Sequence, residues 1–451
     1  MKSSAPSFNS MVSSGSVKQT TLTPAYIFRF WLPLAATWFM MSVEGPFLAA
    51  VIARLADPKF NLAAYGVAFS FALIVEAPII MIMSASTALV RDKQTYYKLR
   101  NFTFFLNAVI TLGMLIGLIP AVFTFVAEGL IDLPHDVARL TYGASILLLP
   151  WPGAIGFRRF YQGLLISGNR TRRVAYGTMI RLGTMAATGI TLYHSGSIPG
   201  AWVGAAALSA GVTLEAIATR IMAHQTIGKL CRHTEPGGGL SYRYISHFYW
   251  PLALTSILSL GVQPLVTFFM GHSRYPVESL AVLPVVNSLV FIFRSMGLSF
   301  QEVGIALMGK NGEGYPAIRH FALLLASSVV VGLGIVALTP ISGIWFQTVS
   351  GLSSQLTGFA ILPAMILVPM PGLSVIISFQ RALLVHGKQT VHISWATAIE
   401  VLGIIITLWL GTRYFHLVGA TAAALGFLIG RIGANLWLTK PCLKARSTFP
   451  F

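Results

Sequence analysis

The sequence predicts an all-α integral membrane protein, with twelve transmembrane helices in two parallel six-helix lobes. Three observations carry this. Hydrophobic residues fill 55% of the 451 positions and charged residues only 10%, against about 25% charged in soluble domains. The chain also repeats itself. Phe30-Trp31-Leu32-Pro33-Leu34-Ala35 returns as Phe248-Tyr249-Trp250-Pro251-Leu252-Ala253, Pro46 as Pro264, and Pro150-Trp151-Pro152-Gly153 as Pro369-Met370-Pro371-Gly372. The stretch from Phe160 to Thr171 returns as Phe379 to Thr390, and each of these correspondences lies 218 or 219 positions apart. Third, the basic residues collect in alternate loops.

The elements follow in order. Residues 1–24 are rich in Ser and Thr, lack an apolar core, and read as a disordered cytosolic tail rather than a cleaved signal. A crossing helix needs about 20 apolar residues. Twelve such stretches are present, at 25–53, 62–90, 102–127, 138–166, 174–193, 199–222, 245–270, 279–308, 318–346, 354–385, 391–411 and 416–438. They group into lobes at 25–223 and 245–438, joined by a cytosolic linker at 224–244 where Gly237-Gly238-Gly239 follows Pro236, and followed by a cytosolic tail at 439–451.

Orientation comes from the loops. Arg91, Lys93, Lys98 and Arg100, then Arg170, Arg172 and Arg173, then Lys229, Arg232 and Arg243 lie on one side. Lys310, Arg319, Lys388, Lys440, Lys444, Arg446, Lys2 and Lys18 share that side, whereas only Arg54, Lys59, Arg274 and Arg413 occupy the other. Both termini are therefore expected in the cytoplasm, with the protein in the cell (inner) membrane. Six spans per half is an even number, so the repeats run parallel about an axis along the membrane normal.

The net charge of +18 belongs to these loops. No basic run is interleaved with aromatics outside the apolar stretches, so no nucleic-acid partner is expected. Cys231 and Cys442 fall in segments expected in the cytosol, which argues against a disulfide. No metal-ligand spacing occurs, and no cofactor is implied.

Glu44, Glu76, Glu215, Glu302 and Glu400 lie inside the apolar stretches, as do Arg181 and Arg294. A charge near the bilayer centre costs about 2.5–3.5 kcal/mol on insertion scales, so each should face a cavity or a partner. The repeat aligns Glu76 with Arg294 and Arg181 with Glu400. Glu76–Arg294 then reads either as an ion pair across the cleft or as two charges satisfied within their own lobes. Arg158, Arg159, Arg220 and Arg381 lie nearer the cytosolic ends, as does Arg431, and those four read as snorkelling anchors. Glu44 precedes Gly45-Pro46, which weakens the helix and frees backbone carbonyls, and its counterpart is Val262. Glu44 and Glu76 are the candidate proton or sodium sites; Arg181, Arg294, Glu302 and Glu400 are the candidate substrate or cavity residues. Pro46, Pro150, Pro152, Pro264, Pro369 and Pro371 read as hinges, or alternatively as static kinks.

Two parallel six-helix halves with a cytosolic middle loop resemble the multidrug/oligosaccharidyl-lipid/polysaccharide flippase superfamily. Phe248-Tyr249-Trp250-Pro251-Leu252-Ala253-Leu254, Leu62-Ala63-Ala64-Tyr65-Gly66-Val67-Ala68-Phe69-Ser70 and Val418-Gly419-Ala420-Thr421 look like segments of the progressive ankylosis family, which also carries a Glu in its first helix where Glu44 stands. The resemblance runs from about residue 25 to 438. It implies an exporter of anionic metabolites such as nucleotides, pyrophosphate or citrate; in the wider superfamily, drugs and lipid-linked sugars are moved. The long acidic C-terminal tail of the animal members is missing here, so its regulatory roles do not carry over.

The leading expectation is thus a secondary transporter working by alternating access on a small anionic substrate, with a proton or sodium partner and membrane lipids around it. A multidrug antiporter and a lipid-linked precursor flippase are the alternatives on the same fold. No Walker motif is present to hydrolyse nucleotide. An intramembrane enzyme would need a cluster of acid, base or nucleophile, which His386 and His392 do not supply. A non-transporting receptor is disfavoured by the duplication.

Overall fold

In a computed structural model the chain is described from residue 22 to 447, except at 169, 233–239, 310–311, 388 and 390. Most of the N-terminal tail and the triglycine of the linker lie outside the described residues. In the first half, α1 (Pro24–Ser42) and α2 (Glu44–Ala53) form one span, and α3 (Pro58–Glu76) and α4 (Ile82–Leu89) the next. The third joins α5 (Lys93–Gly117), α6 (Pro120–Thr124) and a π-helical turn at Phe125–Leu130. Then come α7 (His135–Leu147) with α8 (Pro150–Ser167), α9 (Thr171–Ser195) and α10 (Gly200–Leu230).

The second half repeats the series as α11 (Tyr242–Leu260), α12 (Val262–Gly271), α13 (Pro276–Leu298) and α14 (Phe300–Leu307). It continues with α15 (Tyr315–Leu338), α16 (Ile341–Gly343) and its π-helical turn Ile344–Val349, α17 (Ser354–Ile366), α18 (Met370–His386), α19 (Val391–Arg413) and α20 (Gly419–Arg446). Eleven of these spans are long and apolar enough to cross a membrane, and the chain is a multi-pass membrane protein. The fifth, α9, is 25 residues long but carries Arg172, Arg173, Arg181 and His194, which lower its hydropathy. Helices α10 and α20 run on past the expected lobe ends, to Leu230 and Arg446.

The halves match in local detail. Thr23 and Ser241 cap α1 and α11, each accepting from a backbone N–H three residues on. Asp57 and Tyr275 adopt left-handed φ of 49° and 54°, after which Pro58 and Pro276 start α3 and α13 with the φ that a first turn needs. The first span breaks at Val43 and its counterpart at Gly261. The fourth and tenth break just before Pro150 and at Pro369, where a ring without N–H cannot continue the preceding helix. Pro46 and Pro264 sit inside α2 and α12, within a turn of those breaks, and Pro152 and Pro371 are buried in the first turns of α8 and α18.

Side-chain packing divides the molecule across the membrane. The side away from the termini has a single core shared by both halves, in which Leu62, Val67 and Ile52 lie with Leu280, Val285 and Val266. Helices α3 and α13 cross at Gly66, where an added Cβ would lie 2.8 Å from Cγ of Pro284. These two residues are themselves repeat equivalents, so the crossing lies on the pseudo-two-fold axis. The Lys59–Glu278 ion pair at 2.7 Å, Arg54 donating to the carbonyl of Val349 at 3.0 Å and Thr267 donating to Ser70 at 3.2 Å close the same side.

On the terminus side there are two separate cores. One holds Phe160, Leu164 and Leu99, the other Phe300, Ile318 and Leu384. Each is completed by the first helix of the opposite half: Ile27, Trp31 and Ala35 of α1 enter the second-half core, and their equivalents Ile245, Tyr249 and Ala253 of α11 enter the first-half core. The exchange is sealed by two equivalent hydrogen bonds. Trp31 Nε1 donates to the carbonyl of Met296 at 3.1 Å, and the Tyr249 hydroxyl donates to the carbonyl of Pro78 at 2.6 Å. On this side the sequence halves are therefore not the packing units, because each lends the other a helix. Trp31→Phe and Tyr249→Phe should each lower stability by about 1 kcal/mol, nearly additively because the sites are far apart. Thermal unfolding of the purified protein in detergent checks this.

Candidate functional site

The intramembrane charges lie on α2, α3, α8, α9 and α10 in the first half and on α13, α14, α18, α19 and α20 in the second. Glu44 begins α2, directly after the break at Val43. Its Oε2 accepts from Nη2 of Arg181 on α9, while its Oε1 is buried without a hydrogen-bond partner. The other guanidinium nitrogen of Arg181 lies 3.9 Å from Glu215 on α10. Glu215 is fully buried, pairs with Arg158 on α8 and accepts from Gln162 at 3.2 Å. Carboxylate and guanidinium thus alternate along four helices. Helices α9 and α10 approach closely enough for this because residue 211 is glycine: a Cβ there would lie 3.0 Å from the backbone carbonyl of Arg181.

Glu76 ends α3, and its Oε2 accepts from Nε1 of Trp151 at 2.6 Å. The face of the same indole lies 5.7 Å from the guanidinium of Arg181, a cation–π distance. Trp151 therefore links the two acidic sites. Neither Glu76 nor Arg294 appears in an ion pair with the other: among the described residues, the carboxylate pairs are Lys59–Glu278, His135–Glu128, Arg158–Glu215, Arg181–Glu44, Arg181–Glu215 and Arg431–Glu400. The reading of Glu76–Arg294 as a bond across the cleft does not hold in this conformation. The tryptophan supplies Glu76 with a donor inside its own lobe.

The second lobe is wired differently. Glu400 on α19 pairs with Arg431 on α20 at 2.7 Å. Arg294 on α13 and Arg381 on α18 have these two as their charged neighbours, yet neither forms an ion pair among the described residues. The Nε atoms of Arg294, Arg381 and Arg431 are buried without a hydrogen-bond partner, as are those of Arg158, Arg159 and Arg181 in the first lobe. Glu302 on α14 is exposed and stands apart from this group.

The arginines expected to snorkel divide three ways. Arg158 is a buried ion-pair member rather than an anchor, because Glu215 sits within reach across α10. Arg220 lies over the Tyr161 ring at 5.2 Å, as an anchor would. Arg159 is half-buried, with Nη1 4.0 Å from the sulfur of Met83, and its nearest carboxylate influence is Glu76.

Trp151 and Gln162 are the members that sequence reasoning passed over, and the repeat contained a signal for Trp151. Where Glu76 becomes Arg294, the indole donor Trp151 becomes Met370. Where Arg181 becomes Glu400, its partner Glu44 becomes Val262. Neither acid–donor pair is kept in the second half.

No protein family matches the sequence, and no curated protein matches it. Solved structures do match in fold. An inward-facing multidrug-resistance MATE family transporter of the MOP superfamily superposes with a TM-score of 0.71 at 15% identity, covering 91% of this chain and 96% of its own. The lipid II flippase MurJ in an inward closed conformation gives 0.68 at 15% identity over 92% and 90%. An outward-facing MATE family transporter of the MOP superfamily gives 0.65 at 15% identity over 96% and 100%. The chain has the all-helical fold that MATE family transporters share with MurJ.

Proposed function

We propose that the protein is a secondary transporter that moves a small anionic substrate across the membrane by alternating access, in the manner of the progressive ankylosis family. The observation that carries the reading is the contrast between one shared core on the far side and two separated cores on the terminus side, with a second half in which buried guanidinia outnumber carboxylates. That contrast is what a two-lobed carrier needs when it is open on one side. With the termini in the cytoplasm, as the loop charges favour, this conformation faces inward. Lobes that meet tightly at one face and through exchanged helices at the other can rock about their common axis. The prolines at the breaks then act as hinges.

For a driving proton or sodium ion, Glu76 is the better placed of the two candidate carboxylates. Its bond comes from a neutral indole, whereas Glu44 is already neutralised by Arg181.

A second reading is favoured by one observation. A cavity of about 370 Å³ opens between α1, α13 and α15, lined by Phe28, Trp31, Phe293, Met296, Phe321 and Leu324. It is apolar, and Phe293 in its wall directly precedes Arg294 in α13. An amphiphile with an anionic head and a hydrocarbon tail would suit that pairing, as in a lipid-linked precursor flippase.

Reconstituted protein in liposomes separates the readings. The expected result is uptake of radiolabelled pyrophosphate, citrate or ATP above protein-free vesicles. Movement of a fluorescent polyprenyl phosphate between leaflets, with none of the water-soluble anions transported, would replace the first reading by the second.

A further inference from the structure

The two lobes differ in how their intramembrane charges are balanced. In the first, the carboxyl groups of Glu44, Glu76 and Glu215 lie among the guanidinia of Arg158, Arg159 and Arg181, so three acids stand against three arginines. In the second, Arg294, Arg381 and Arg431 have Glu400 as their one carboxylate neighbour among the described residues; the Nε atoms lack a partner in both lobes alike, so the lobes differ in carboxylates and not in the arginines. From this imbalance we infer that the protein is an anion exchanger, in which the empty carrier reorients slowly and the anion-loaded carrier reorients fast. The inference rests on the anionic-substrate reading above and adds to it the mode of transport.

The argument is electrostatic. While the cleft is open to water on one side, Arg294 and Arg381 are half-buried, and water or mobile anions screen the part of each that stays accessible. Switching requires the lobes to close over this region before the other side opens, and closure removes that water. Guanidinia stripped of water without a counter-charge are unfavourable in a low-dielectric interior, so the empty carrier meets a barrier. A bound oxyanion or carboxylate supplies the missing negative charge through charge-assisted, bidentate hydrogen bonds, and the loaded carrier closes without that penalty. A cation taken up at Glu76 does not help, because it binds in the lobe whose charges already balance. Glu302 does not help either, since it stands apart from the arginine group. The carrier must therefore return with an anion aboard, which couples efflux of one anion to entry of another.

The test uses the full-length protein in liposomes loaded with radiolabelled pyrophosphate, citrate or ATP. Efflux is followed into anion-free buffer, and into buffer with the same unlabelled anion. The expected result is efflux about tenfold or more faster with the anion outside, equivalent to a barrier difference of at least about 1.4 kcal/mol. Arg294→Gln and Arg381→Gln should bring the ratio of the two rates toward one, while Arg294→Lys, which keeps the charge, should retain it. Equal efflux in both buffers overturns exchange while leaving anion transport intact. Fast efflux into anion-free buffer driven by a pH or sodium gradient alone overturns it in the same way. If none of the three anions moves in either buffer, the anionic-substrate reading itself fails and the exchange mode falls with it.

Discussion

Glu215→Gln is expected to destabilise the protein by about 3–5 kcal/mol, the cost of removing one partner from a buried ion pair. The glutamine keeps the shape and can still accept from Gln162, so the loss isolates the charge. Glu215 is fully buried and faces Arg158 and Arg181 together; once it is neutral, Arg158 has no carboxylate within ion-pair distance and Arg181 keeps only Glu44. Arg158→Met alone should cost a comparable amount by stranding the carboxylate. The double variant should lose less than the two single losses combined, with a coupling of about 0.5–3 kcal/mol. The measurement is thermal unfolding of the four proteins in one detergent. Strict additivity would mean that the two side chains do not act as a pair.

Gly66→Val is expected to open the far side. At Gly66 the two lobes meet on their common axis, and small residues are what allow membrane helices to come that near. A valine would drive carbon into the Pro284 ring, which has no rotamer to escape into. Overpacking of this kind costs about 1–3 kcal/mol, and here it falls only on the state in which the far side is closed. The balance between states should then shift about five- to 150-fold toward the other state. Ser70 is buried beneath the crossing and bonded to Thr267, which makes it the reporter. In a background lacking Cys231 and Cys442, Ser70→Cys should react with a membrane-impermeant thiol reagent from the far side in Gly66→Val and stay protected with Gly66 present. Equal protection in both would show that the crossing is not the gate.

How much of this was legible beforehand follows from what hydrophobic pattern can encode. The repeat of Phe30–Ala35 in Phe248–Ala253 and the loop arginines were enough for the spans and the parallel lobes, since both depend on composition along the chain. The partners of the charges were not legible. Glu44 and Arg181 are 137 positions apart, and in a helix surrounded by lipid and protein no periodicity distinguishes the side facing a partner from the side facing a cleft. That is why Arg158 read as a snorkelling anchor and Glu76 as a candidate for Arg294. The exchange of α1 and α11 was also hidden. Ile27, Trp31 and Ala35 form a stripe at helical spacing, matched by Ile245, Tyr249 and Ala253, but a stripe states only that it is buried and not in whose core.

The exchanged helices bear on how the protein is made. Helix α1 leaves the ribosome well before α13, yet the carbonyl that receives its Trp31 belongs to Met296, 265 positions later. Until that segment is synthesised, the buried stripe of α1 has only lipid to face, and the first lobe carries an empty notch where Tyr249 will later dock against Pro78. Neither half can mature alone. The nascent first lobe is a waiting intermediate, exposed to membrane quality control for as long as translation of the second half takes. Two separately expressed halves should accordingly each be degraded when alone and rescue one another when present together.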